Sequence, residues 1–94
     1  GKDFIMTNLD CWILKLTSQK EDILVKSDGS EQLVIGRHVY ARKNNSISTK
    51  EYNVYLTSTG EYFGDVIDSS GWHDISAKEA KSIFNFNFNT EINE

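Results

Sequence analysis

The dipeptide Asp28-Gly29, set between the apolar runs "ILV" (23–25) and "LVI" (33–35), constrains this chain more than any other feature. Asp-Gly between two such runs is a hairpin signal, because a type I′ turn needs positive φ at both central residues. With Asp28 and Gly29 in those places, Lys26 faces Glu31 and Leu24 faces Leu33. One pair is oppositely charged and the other apolar, so this register is chemically consistent. The chain has no proline, which leaves Gly, Asn, Asp and Ser to make its turns.

A period of two recurs on both sides. "CWILKLT" (11–17) puts Trp12, Leu14 and Leu16 on one face and reads as a strand. "SQKED" reads as a polar break, and "ILVK" (23–26) as a second strand. "QLVIGRHVYARK" (32–43) is a long third strand in which Gly36 marks a bulge or bend. Residues 44–51, "NNSISTKE", read as a loop. "YNVYLT" (52–57) and "YFGDVID" (62–68) flank "STGE" and read as another hairpin.

A two- or four-residue loop in that hairpin pairs Leu56 with Phe63 and Tyr52 with Ile67. Tyr52, Val54, Leu56, Phe63 and Ile67 then share the core face, and Tyr55 and Tyr62 point outward. Asp65 falls on the core face opposite Val54. A carboxylate there needs a partner, and Arg37, His38 or Arg42 is the expected one. A three-residue loop shifts the pairing and changes the face match.

"ISAKEAKSIF" (75–84) opens a helix that runs to about residue 85. Ser76 and Glu79 form an S-x-x-E capping box, and Ile75 and Ala80 the hydrophobic staple around it. "FNFNFN" (84–89) returns to period two, so helix and strand both stay open there. The expected fold is α+β: a four- or five-stranded antiparallel meander with one C-terminal helix packed on one face. The alternative is a small bent barrel of the SH3 or OB kind, with Gly36 and Gly64 bending strands. Ninety-four residues suit one domain. Residues 1–9 read as disordered or as an addition to the native chain, and 89–94 as a tail.

Composition narrows the function. The chain is 38% hydrophobic and 26% charged, with a formal net charge of −4. A net-acidic surface repels phosphate backbones at long range. The one cysteine, Cys11, leaves no intrachain disulfide. No apolar run approaches the ~20 residues that span a bilayer, and no secretory leader is visible. A soluble, cytoplasmic protein is expected; a secretory leader already removed would leave the same sequence.

"GDVIDSSGWHDIS" (64–76) gathers Asp65, Asp68, His73 and Asp74, all possible metal ligands. The spacing fits no EF-hand loop, and one histidine makes no zinc pair. A strand, a turn and a helix cap explain these residues better, with Trp72 in the core at the sheet edge. An enzyme using Asp65, Asp68 and His73 is the least favoured class. There is no G-x-S-x-G elbow and no phosphate-cradling glycine motif. No catalytic residue, metal or cofactor is expected.

Two binding classes remain. Tyrosine is enriched in protein interfaces, and Tyr40, Tyr55 and Tyr62 are the candidate contact residues of a non-enzymatic protein-binding module. Such a module acts as an accessory, regulator or stoichiometric inhibitor through its sheet face or an edge strand. Self-association through an edge strand belongs to the same class. The alternative is a single-stranded nucleic-acid binder using Arg37, His38, Tyr40, Arg42 and Lys43. Residues 37–50 carry four basic residues and no acid, and aromatic residues among cations on a strand can stack bases.

Overall fold

The computed structural model describes residues 5–6, 12–43, 46–86 and 88. Cys11, residues 89–94 and all of 1–9 except Ile5 and Met6 lie outside the described residues. Six antiparallel strands follow one another across a single open sheet: β1 (Ile5–Met6), β2 (Trp12–Val25), β3 (Glu31–Lys43), β4 (Thr49–Thr57), β5 (Tyr62–Asp68) and β6 (Gly71–Asp74). One helix, α1 (Ala77–Phe84), packs against β4 and β5. This is the expected α+β meander, with four long strands and a short one at each edge. Between β1 and β6 no pairing closes the sheet, so the barrel alternative does not hold among the described residues.

Both long hairpins turn on three residues. Lys26 N–H donates to Ser30 O (2.8 Å), Gly29 N–H donates to Lys26 O (2.9 Å), and Gly29 sits at φ +88°. Thr57 N–H and Gly60 N–H repeat the pattern with Glu61 O (2.9 Å) and Thr57 O (3.0 Å), and Gly60 sits at φ +90°. This is a tight turn followed by a left-handed residue, the second commonest hairpin closure. The register therefore slips by one from that of a two-residue turn. Leu24 pairs with Gln32 and Ile23 with Leu33; Leu56 pairs with Tyr62 and Tyr55 with Phe63. A slip of one inverts the faces of a strand. Tyr62 thus lies on the helix side, while Phe63, Asp65 and Ile67 lie on the other.

Three further expectations change. "SQKED" does not interrupt a strand: β2 runs unbroken beside β3, because every residue of β3 from Glu31 to Lys43 has a partner on it. The bulge falls at Thr17 on β2, where the register shifts between Leu16 and Ser18, and not at Gly36. The loop expected at 44–51 is shorter, since Thr49, Lys50 and Glu51 belong to β4 and pair with Arg42, Ala41 and Tyr40.

The core lies between α1 and the middle of the sheet. Leu14, Val39, Ala41, Tyr52, Val54 and Val66 meet Ala80, Ile83, Phe84 and Phe88. Val39 and Val54 are fully buried, and each contributes about 1.5–3 kcal/mol relative to exposure. An eight-residue helix is marginal alone, so this packing holds α1 in place. Its start is the expected cap: Ser76 Oγ accepts from Glu79 N–H at 3.1 Å. Its end is tied to the sheet by Arg37, whose Nη1–H donates to Phe84 O while the guanidinium lies 4.5 Å from the centre of the Phe84 ring. A cation at a helix C-terminus also meets the negative end of the helix dipole.

Candidate protein-binding face

The sheet has a second face, turned away from α1. The register lays out its residues in rows: Lys20, Gly36, Tyr55 and Phe63 form one, and His38, Asn53, Asp65 and Asp74 another. Ile67 and Trp72 pair at one margin. Tyr55 and Phe63 stack with ring centres 4.8 Å apart and planes 17° from parallel. The Tyr55 ring lies over Gly36, where a Cβ would come within 3.1 Å of it. Gly36 thus makes room for an aromatic ring instead of bending the strand. Beside the ring is a recess of about 300 Å³ lined by Ser18, Lys20, Gly36, His38 and Asn53.

Trp72 is 53% exposed and Phe63 38%. Trp72 was expected in the core; β6 instead carries it to the open face, because the two-residue turn Ser69–Ser70 pairs it with Ile67. The Tyr55 hydroxyl is held above its ordinary pKa by burial first, then by the charges of Asp65 and Asp22. It therefore stays neutral, a donor and acceptor on an otherwise apolar ring.

Of the three tyrosines singled out from sequence, the structure brings Tyr40 and Tyr55 to this face, with the row of His38 and Asn53 between them. Tyr62 is on the opposite side. Its ring packs edge-on to Phe84 at 5.8 Å, Lys81 sits 5.9 Å above it, and its hydroxyl accepts from Asn85. Phe63 and Trp72 take its place. The signal for both was in the turns, where "STG" and "DSSG" each place a glycine at positive φ.

The nucleic-acid set is divided by the fold. Arg37 is committed to the end of α1 and to Gln19. Lys43 follows Arg37 onto the helix side, while His38, Tyr40 and Arg42 lie on the open face. His38 is held between Thr17 and Glu51, with Nε2 3.0 Å from Glu51 Oε1. On this face Lys15, Lys20 and Arg42 stand among Asp22, Glu51, Asp65 and Asp74, so it presents no basic track to a phosphate chain.

The sequence hydroxyl, imidazole, carboxylate at Thr17, His38 and Glu51 has the atom order of a nucleophile with its base and orienting acid. The proton inventory differs. Thr17 Oγ1 donates its one hydrogen to His38 O at 2.8 Å, so it meets Nδ1 as an acceptor. The arrangement anchors the bulge of β2 to β3.

Asp65 was expected against Val54 with a cationic partner. It lies instead between Asn53 and Asp74 on the open face, and its buried Oδ1 has no hydrogen-bond partner. Two carboxylates directly opposite each other repel. Asp68 and His73 approach to 3.3 Å. Among the described residues no three His, Cys, Asp or Glu side chains converge as a ligand set. No described helix is long and apolar enough to cross a membrane. No family model matches the chain, and no curated protein and no solved structure is significantly similar to it.

Proposed function

We propose that this chain is a non-enzymatic protein-binding module that seats a protein partner on the open face of its sheet, with Tyr55 as the anchor. The observation that supports this reading is the Tyr55–Phe63 stack, laid over Gly36 beside a polar recess, with Trp72 exposed two rows away on the same face. Interface anchors are typically aromatic residues beside pockets, ringed by polar groups that exclude water. The mixed charge around the stack favours a folded protein surface over a phosphate chain. A module of this kind acts in the cytoplasm as an accessory, regulator or stoichiometric inhibitor.

The test compares wild type with Tyr55→Ala. A partner captured from native lysate and then purified is titrated against both. Loss of about 2 kcal/mol or more of binding, with circular dichroism showing that the fold is retained, supports the face. Equal affinity for the two proteins removes the anchor. A captured nucleic acid whose affinity falls steeply with salt replaces this reading with the nucleic-acid one.

A further inference from the structure

The outer half of the β2–β3 hairpin reaches beyond α1. There Ile23, Val25 and Leu33 are 53%, 63% and 59% exposed, all on the helix side of the sheet. Among the described residues, β1 pairs with β2 only at Ile13 and Leu14, and no strand pairs with the outer edge of β2 beyond them. The alternation of an antiparallel ladder fixes which groups face that edge. The Lys26–Ser30 bond closes the hairpin, so Leu24 and Asp22 bond inward to β3, while Ile23 and Val25 point their N–H and C=O outward. The amide of Ile23 agrees: it donates to Asp22 Oδ1 at 2.8 Å and to no strand.

We propose that two copies of this chain associate through this edge, antiparallel about a two-fold axis at Leu24, with Asp22 opposite Lys26 and Ile23 opposite Val25. The segment "DILVK" (22–26) is self-complementary in that register. Each Ile23–Val25 pair exchanges two backbone hydrogen bonds, because both residues face outward. The exposed Leu33, Ile23 and the second copy's Val25 then form one apolar row. Leu24 meets its own copy on the open face, and Lys20 comes level with Asp28.

Charge selects this register over its neighbours. Centring on Ile23 opposes Lys20 and Lys26. Centring on Asp22 or Glu21 sets that acid against itself, and centring on Val25 opposes Asp22 and Asp28. Like charges directly opposite destabilise a pair of strands. The charges that deter pairing with unrelated edges therefore admit a second copy of this one. In the monomer, Asp22 caps the Ile23 amide; in the dimer, its carboxylate turns to Lys26 and frees that amide for the seam. An isologous contact of this kind closes at two chains.

Sedimentation equilibrium tests the seam. Wild type is expected to pass from monomer to dimer with concentration, and rising salt to weaken the dimer. Asp22→Lys and Lys26→Asp are each expected to weaken it at least about tenfold, while an equimolar mixture of the two variants forms a one-to-one heterodimer. In a Cys11→Ser background, Leu24→Cys is expected to cross-link to its copy on oxidation, because the two Cα atoms face each other across the axis at disulfide distance. Asp22 and Lys26 are exposed and Leu24 half-buried, and circular dichroism and thermal midpoint serve as folding controls for every variant, the Cys11→Ser background included. A wild type that stays monomeric at millimolar concentration overturns the proposal. So does a dimer unaffected by either single charge reversal, or a variant mixture no tighter than its components. Tyr55→Ala leaves this dimer unchanged, so the two surfaces fail or stand separately.

Discussion

Asp28 and Asp68 each fold a turn around their own carboxylate. Asp28 Oδ1 accepts from the Ser30 amide (2.9 Å) and hydroxyl (2.6 Å), and Asp68 Oδ1 accepts from the Ser70 amide at 2.8 Å. Both carboxyls are pulled below the ordinary 3.8: Asp28 by the Ser30 hydroxyl and then its amide, Asp68 by the Ser70 amide and then the charge of His73. A carboxyl with a depressed folded-state pKa stabilises the fold above its unfolded pKa and loses that contribution as pH falls through the folded value. The turns are therefore expected to loosen on acidification below pH 3.8, with no change between pH 5 and 7 from this source. Asp68→Asn should flatten the fall of the thermal midpoint below pH 4 relative to wild type, and an unaltered acid limb would contradict the assignment. The turn at "DSSG" was readable from residue types alone. The Asp65–Asp74 opposition was not, because it depends on which faces the strands present.

At the scale of elements, two glycines test how tightly neighbouring strands are drawn together. A methyl on Gly64 would lie 2.2 Å from Asn53 O and 3.0 Å from Val54 Cα, both backbone atoms of β4. They cannot yield without moving the strand, so Gly64→Ala is expected to lower stability by about 1–3 kcal/mol, read by chemical denaturation. Gly36→Ala meets only the Tyr55 ring. That ring can swing out, so the expected result is a smaller stability loss with the Tyr55–Phe63 stack broken, visible as shifted aromatic resonances. Equal losses at the two sites would mean that Tyr55 is as fixed as backbone. The strands β3 to β5, the helix and its cap were legible because alternation, S-x-x-E and apolar spacing act locally, whereas β2 was read as two strands and β1 and β6 were not read as strands. The register was not, because the glycine of "SDG" or of "STG" can close a two-residue or a three-residue turn. Only the hydrogen bonds of Gly29 and Gly60 separate the two, and that single residue exchanged Tyr62 for Phe63 on the open face.

As a whole the molecule is a thin slab, 46 × 34 × 19 Å, one sheet and one helix thick. Its two halves differ in cover. Around Val54 the sheet is closed by α1, while at the β2–β3 tip Ile23, Val25 and Leu33 stand exposed on the helix side, beyond the reach of α1. Local opening follows buried contact. At concentrations where the chain is monomeric, the amides of residues 22 and 24 are expected to exchange at least about 100-fold faster than those of residues 52–54, a gap of about 3 kcal/mol. Uniform protection along the sheet would show that the tip is supported by something other than α1. The thinness of the slab was invisible in the sequence, because alternation says that a strand has two faces and not which of them a single short helix will cover.

The sequential strand order bears on how the chain comes into being. Each strand pairs only with its neighbours in the sequence, so during synthesis every new strand finds its partner already waiting beside it. No segment must thread between two others, and the loops to be closed are short, which favours rapid zippering. The helix, however, is the last of these elements to emerge. Until residues 77–84 leave the ribosome, the nascent sheet carries Val39, Val54 and Val66 uncovered, with both rims unsealed. The interval between the emergence of Asp74 and that of Phe84 is thus the moment at which this chain is most exposed to misassociation.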